Sequence, residues 1–145
     1  MKITDAMLKQ IYRHGRETYP RECFGFLVGL ADDGGTVRRV APGTNLNVER
    51  NDRFEMDPRE FMQVEGAAEE AGYEIIGFYH SHPDWPAIPS QTDLSFAWEG
   101  SYYLIASIHE GQPLHTAVWQ IAPAEPRRFS PCPLEIVDER AWSDD

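Results

Sequence analysis

One stretch, Tyr73-Glu74-Ile75-Ile76-Gly77-Phe78-Tyr79-His80-Ser81-His82, reads as a strand that runs from apolar residues into two histidines and stops at Pro83. Side chains two apart on a strand share a face, so His80 and His82 project together and Ser81 points the other way. That is the spacing from which two imidazole nitrogens converge on one point, and it is expected at the end of a central strand. Three prolines, Pro83, Pro86 and Pro89, stiffen the loop that follows. Ser90-Gln91-Thr92-Asp93 then has the form of a helix start, with Ser90 as the cap and Asp93 in the first turn. The spacing carries a helix to about Trp98.

The rest of the chain supplies elements around this strand. Residues 4–17 carry apolar positions at helical spacing, with Thr4 or Asp5 as the N-cap and Pro20 beyond the end. Residues 23–30 read as a buried strand, and Asp32-Asp33-Gly34-Gly35 turns it into a hairpin with residues 36–40. Residues 42–57 form the longest irregular segment. Asp57-Pro58 opens a second helix that reaches about Ala71, where Gly72 stops it. Strands are expected near residues 102–109 and 116–121, with shorter pieces at 127–129 and 134–137. Helices and strands alternate without repeat or linker. The expected fold is a single α/β domain over residues 1–137, a mixed β-sheet with helices on its faces, followed by an acidic tail at 138–145.

Composition narrows the function. At 145 residues the chain has the length of one domain with a core of its own. The net charge of −11, with 13 basic against 24 acidic residues, opposes a phosphate backbone and excludes nucleic-acid binding from the expected functions. No apolar run approaches the roughly 20 residues of a membrane span, and the first residues lack a secretory stretch, so a cytoplasmic protein without membrane contact is expected. The two cysteines, Cys23 and Cys132, form no CxxC pair and are expected as unpaired thiols.

Each half of the histidine–serine–aspartate pattern is weak alone. A Ser-x-x-Asp is commonly a cap and nothing more, and a His-x-His on a strand is often not a ligand pair. Together at this spacing they would arise in a shuffled chain with a chance on the order of one in a thousand. Two histidines and one aspartate form a three-ligand set of the kind catalytic zinc uses, which leaves a fourth position for water.

His80-Ser81-His82-Pro83, seven residues to Ser90, and then Asp93 resembles the signature of the JAMM (MPN-domain) zinc metalloprotease family. Pro20-Arg21-Glu22-Cys23-Phe24-Gly25-Phe26-Leu27-Val28-Gly29 resembles the family segment that carries an upstream glutamate. Phe54-Glu55-Met56-Asp57-Pro58 is similar to its bacterial members, and the likeness runs from about residue 3 to 122. The resemblance implies a JAMM/MPN-like, cytidine-deaminase-like fold with Zn2+ held by His80, His82 and Asp93. It implies that Glu22 is the general base, that Ser90 donates to the oxyanion, and that a zinc-bound water is the nucleophile. Glu22 would not have been singled out from 14 glutamates by spacing alone. In minimal bacterial members the resemblance points to a peptidase or amidohydrolase that cuts after the C-terminal Gly-Gly of a ubiquitin-like sulfur-carrier protein. Trp85 and Ile88 on one side, and Asn45 and Phe54 on the other, are candidates to line the tail's channel.

A non-catalytic MPN-type scaffold would have lost its ligands, and all are present here. A zinc deaminase needs H-x-E and P-C-x-x-C, which do not occur. A His-x-His-x-Asp-His pattern fails because Trp85 follows Asp84. His14, His109 and His115 are expected on the surface or beside turns.

Overall fold

The computed structural model describes residues 1–139. The acidic tail expected from Asp138 therefore lies mostly outside the described residues. The elements are β1 (Lys2–Thr4), α1 (Asp5–Thr18), β2 (Phe24–Leu30), β3 (Thr36–Pro42), α2 (Pro58–Glu70), β4 (Glu74–Pro83), α3 (Gln91–Phe96), β5 (Tyr102–His109), β6 (Gln112–Ile121), β7 (Phe129–Cys132) and β8 (Glu135–Val137). All eight strands form one sheet in the order β7-β6-β5-β4-β2-β3-β1-β8. The β4–β5, β1–β3 and β1–β8 pairs are parallel and the others antiparallel. The mixed α/β sheet is thus as expected, and β4 lies inside it.

Strand alternation sorts the apolar residues into two layers. On one face Leu27, Tyr79, Leu104 and Val118 meet Leu8 and Ile11 of α1. On the other, Phe24, Phe26, Phe78 and Tyr103 pack with Phe61 and Val64 of α2 and Leu94 of α3. His80 and His82 continue the Phe78 side of β4, so the histidines emerge on the face shared with α2 and α3. Among the described residues no helix is long and apolar enough to cross a membrane.

The helix starts are chemically specified. Thr4 Oγ1 accepts from the Met7 N–H at 3.2 Å, and Asp57 Oδ1 accepts from Arg59 N at 3.0 Å with Pro58 in the first turn. Gly72, at φ 80°, takes the left-handed conformation that lets the chain leave α2.

Several features depart from the sequence reading, among them β7, which runs over Phe129–Cys132 rather than 127–129, and β3, which reaches Pro42. β1 was not anticipated; three residues carry no usable period, and its partners, Glu135 to Val137 and Thr36, are distant in sequence. β6 begins at Gln112, ahead of the expected 116. α3 stops at Phe96, short of Trp98. There the Trp98 N–H donates to Tyr103 Oη at 2.6 Å, and the Arg127 guanidinium donates to the carbonyls of Leu94 and Ala97. These partners replace the next helical turn.

Strand β4 lies very close to β5 at Gly77, where an added Cβ would stand 2.1 Å from the Tyr102 carbonyl oxygen. Backbone cannot swing aside as a side chain can. Gly77→Ala is expected to lower stability by about 1–3 kcal/mol through overpacking, measured as a shifted urea midpoint. An unchanged midpoint would contradict the β4–β5 register.

Candidate metal centre

Asp93 is placed by its own helix cap. Its N–H donates to Ser90 Oγ at 3.0 Å, while its Oδ2 accepts from the Ser90 N–H at 2.8 Å, a reciprocal box. The carboxylate is thereby turned back toward β4. Asp93 Oδ1 lies 3.2 Å from His80 Nε2, and Oδ2 lies 3.1 Å from His82 Nε2. The two Nε2 atoms are 3.2 Å apart. Among the described residues these three side chains form a group whose ligand atoms all lie within 4.8 Å of one another.

The protonation pattern of this cluster favours a cation. His82 Nδ1 is 2.8 Å from the Pro86 carbonyl, which can only accept, so Nδ1 carries the hydrogen and neutral His82 presents a lone pair at Nε2. That lone pair faces a carboxylate oxygen and a second imidazole nitrogen. His80, 2% exposed, is held neutral because burial lowers its pKa. Burial by itself would push Asp93 up, but His80, ahead of the Ser90 N–H, holds it well below the usual carboxylate range. One proton on His80 Nε2 cannot satisfy every acceptor turned inward here. A divalent cation can, and zinc accepts two imidazoles and a carboxylate. The residues fit the group.

The Pro-rich loop holds the Pro86 carbonyl in place. Asp84, at φ 59°, donates its N–H to Ile108 O at 2.7 Å, and its carboxylate takes Tyr19 Oη at 2.6 Å and Glu110 N at 2.7 Å. His115 Nε2 accepts from Ala87 N at 3.2 Å, and Trp119 Nε1 donates to Ala87 O at 3.0 Å. A carbonyl that orients an imidazole leaves no signal in a sequence. His115, expected beside a turn, is one of the residues that pin the loop. His14 is half-buried, with Nδ1 2.7 Å from Tyr79 Oη, because β4 sends Tyr79 to the α1 face.

Glu22 reaches the same neighbourhood through strand pairing. Phe24 pairs with His80 in the β2–β4 ladder. One step earlier, Ser81 N donates to Cys23 O at 3.2 Å and Cys23 N donates to Ser81 Oγ at 2.8 Å. Glu22 is 3% exposed and its Oε1 has no hydrogen-bond partner. Burial, followed by the Asp93 and Asp52 charges, pushes its pKa up to about 9 against the counter-effect of Arg53. Cys23 and Cys132 are both unpaired thiols.

The tail-channel candidates divide. Phe54 packs on His80 with ring centroids 5.0 Å apart, and it lines a cavity of about 410 Å³ with Met56, Phe78, Thr92 and Phe96. Trp85 and Ile88 are exposed. Asn45 spends its amide on main-chain groups.

Residues 4–128 match the family model of prokaryotic homologs of the JAB domain. The chain belongs to this JAB family. It is 40% identical over 102 residues to a desampylase of Haloferax volcanii, a match covering 67% of this chain and 73% of that protein. It is 31% identical over 110 residues to the CysO-cysteine peptidase of Mycobacterium tuberculosis, covering 74% and 73% respectively. Among solved structures, a Salinibacter ruber protein aligns at TM-score 0.71 and 36% identity over 96% of this chain and 93% of its own.

For this JAB-family chain, wild-type protein dialysed against zinc is expected to hold one ion per chain by elemental analysis, and His82→Ala none. A second outcome concerns zinc-free protein. The folded state keeps the Glu22 proton to about pH 9 against an ordinary value of 4.5. The stability this group contributes is complete below 4.5 and is lost as pH rises through 9. Glutamine has no proton to lose, so the gain in melting temperature from Glu22→Gln should grow between pH 5 and pH 9. An equal gain at both would contradict the raised pKa.

Proposed function

We propose that the chain is a zinc-dependent peptidase that cleaves the amide bond after the C-terminal Gly-Gly of a ubiquitin-like, sulfur-carrier-type protein or its conjugate. One observation carries this reading: a buried carboxyl whose Oε1 has no hydrogen-bond partner, Glu22, brought by strand pairing to a cluster of two imidazoles and a carboxylate. Structural carboxylates are normally exposed or paired, whereas hydrolytic chemistry uses a carboxyl of this kind. The named relatives support the substrate class, since one is called a desampylase and another a CysO-cysteine peptidase.

His80, His82 and Asp93 are the proposed zinc ligands. Bound there, the ion would supply Lewis acidity and lower the pKa of a water to about 7. The remaining steps fall to the chain's own residues. A dication beside Glu22 would offset the repulsion from Asp93 and favour the carboxylate. Glu22 then takes a proton from the attacking water as oxygen bonds to the acyl carbon. Ser90 uses a lone pair for the Asp93 N–H and keeps its O–H to donate to the developing oxyanion. When the C–N bond breaks, Glu22 passes the proton to the leaving amine. Water is consumed, and a C-terminal carboxylate and an amine are the products.

The apolar cavity beside Phe54 would take the extended tail, with Phe96 and Trp98 exposed at its rim. Residues 1–137 would be the catalytic domain, with 138–145 as an acidic tail. The unpaired thiols agree with a cytoplasmic location.

With a carrier protein joined through Gly-Gly to an amine, Glu22→Gln is expected to keep zinc and lose roughly 10²- to 10⁴-fold in kcat. Ser90→Ala is expected to lose about 10²- to 10³-fold. Wild-type turnover by Glu22→Gln would remove the base assignment.

A further inference from the structure

The irregular segment between β3 and α2 forms a wall of the site, and Asn45 holds it there. Its Nδ2 donates to Glu22 O at 3.0 Å and to Arg53 O at 3.3 Å. Its Oδ1 accepts from Asn47 N at 2.9 Å and from Glu55 N at 3.0 Å. An amide side chain has two donor hydrogens and two acceptor lone pairs, and all four are used. Three partners lie on the two arms of the segment. The fourth is the main chain of Glu22, 23 positions away. Between Arg53 and Glu55, Phe54 stacks on Phe24 at 4.7 Å and packs on His80.

This arrangement bears on Glu22 in particular. The residue stands just before β2, where the ladder to β4 has ended, and its Oε1 has no protein partner to orient it. With Oε1 unpartnered, the direction of its side chain depends on where its backbone is held and on the residues packed around it. Three side chains hold the backbone around it: Thr18 at the Arg21 carbonyl, Ser81 at the Cys23 N–H, and Asn45 at the carbonyl of Glu22 itself. The geometry points to Asn45 as a positioning residue that sets the Glu22 carboxyl against the metal centre and fixes the 44–56 segment in the same act. This inference rests on Glu22 being the base of the proposed peptidase.

A positioning residue acts through its target, and a double-mutant cycle detects that. Asn45→Ala is expected to lower kcat by about 10- to 100-fold, the scale of a small misplacement of a reacting group. KM and zinc content should stay near wild type. In a Glu22→Gln background the same substitution should change kcat by less than about twofold, because the group it positions is gone. Asn45→Asp keeps the two accepted bonds but sets a carboxylate oxygen against the Glu22 carbonyl; it should lose kcat as Asn45→Ala does, and it is the variant to read if the alanine chain does not fold. Equal losses in both backgrounds, or wild-type kcat in Asn45→Asp, would overturn the assignment. A second arm uses zinc-free protein and needs no turnover. The Glu22 carbonyl carbon should shift in the NMR spectrum of either folded variant, and in Asn45→Ala the Asn47 and Glu55 amides should exchange faster. If wild-type protein cleaves no Gly-Gly conjugate, the functional reading falls, and the carbonyl shift still decides the tether. An unmoved carbonyl would overturn it.

Discussion

The site depends on the last rungs of the ladder between β2 and β4. Phe24 opposite His80, with Ser81 bonded twice to Cys23, sets where the chain before β2 can lie relative to the histidines. Ser81 is the residue between the two histidines, and its hydroxyl points to the opposite face. The same alternation that aims His80 and His82 together thus aims a hydrogen-bond acceptor at the Cys23 N–H. A slip of one residue would send the imidazoles into the α1 layer and Tyr79 into the site. Tyr79 on its proper face lies over Gly25, where even a Cβ would stand 2.1 Å from the ring. Packing on one side of the sheet therefore enforces the register that the other side needs.

What this register assembles is unfavourable without a cation. Two imidazole nitrogens and a carboxylate face one another, an unpartnered carboxyl lies nearby, and all four side chains are almost wholly removed from water. Such groups are costly to bury unless something offsets them, and they concentrate where chemistry needs them. The surroundings keep the cluster from relaxing. The cap of α3 turns Asp93 inward, the loop pinned by Asp84, Ala87 and their partners presents Pro86 to His82, and Phe54 covers one side of His80. Each contact is an ordinary cap, turn or aromatic pair. Their joint effect is a fixed cluster of two imidazoles and a carboxylate that could hold a metal ion, at the edge of an apolar cavity.

How much of this was legible in the sequence follows from the range of each interaction. His80 and His82 were readable because a period of two is local, and Asp93 because a capping box spans four residues. The position of Glu22 comes from pairing with a strand almost sixty residues on, which no local pattern encodes; only the likeness to JAMM proteins singled it out. Strands β1 and β8 escaped or were faint for the same reason, being three residues each and parallel to each other. From the sequence Asn45 is only a candidate to line the tail's channel, in a polar and irregular segment. Its main-chain partners appear only once both arms of the loop are folded together. His14 looked exposed from its helix, and its bond to Tyr79 depends on which face of β4 that tyrosine takes.

We propose that this centre hydrolyses an amide through a metal held by His80, His82 and Asp93. The most direct measurement follows the amine released from a carrier protein conjugated through its Gly-Gly end, before and after a chelator removes zinc and again after zinc is restored. Cleavage should vanish with the chelator, return with about one equivalent of zinc per chain, and stay absent in His82→Ala at every stage. Undiminished release of the amine by the chelated protein, or by His82→Ala, would contradict a metal-dependent hydrolase at this site.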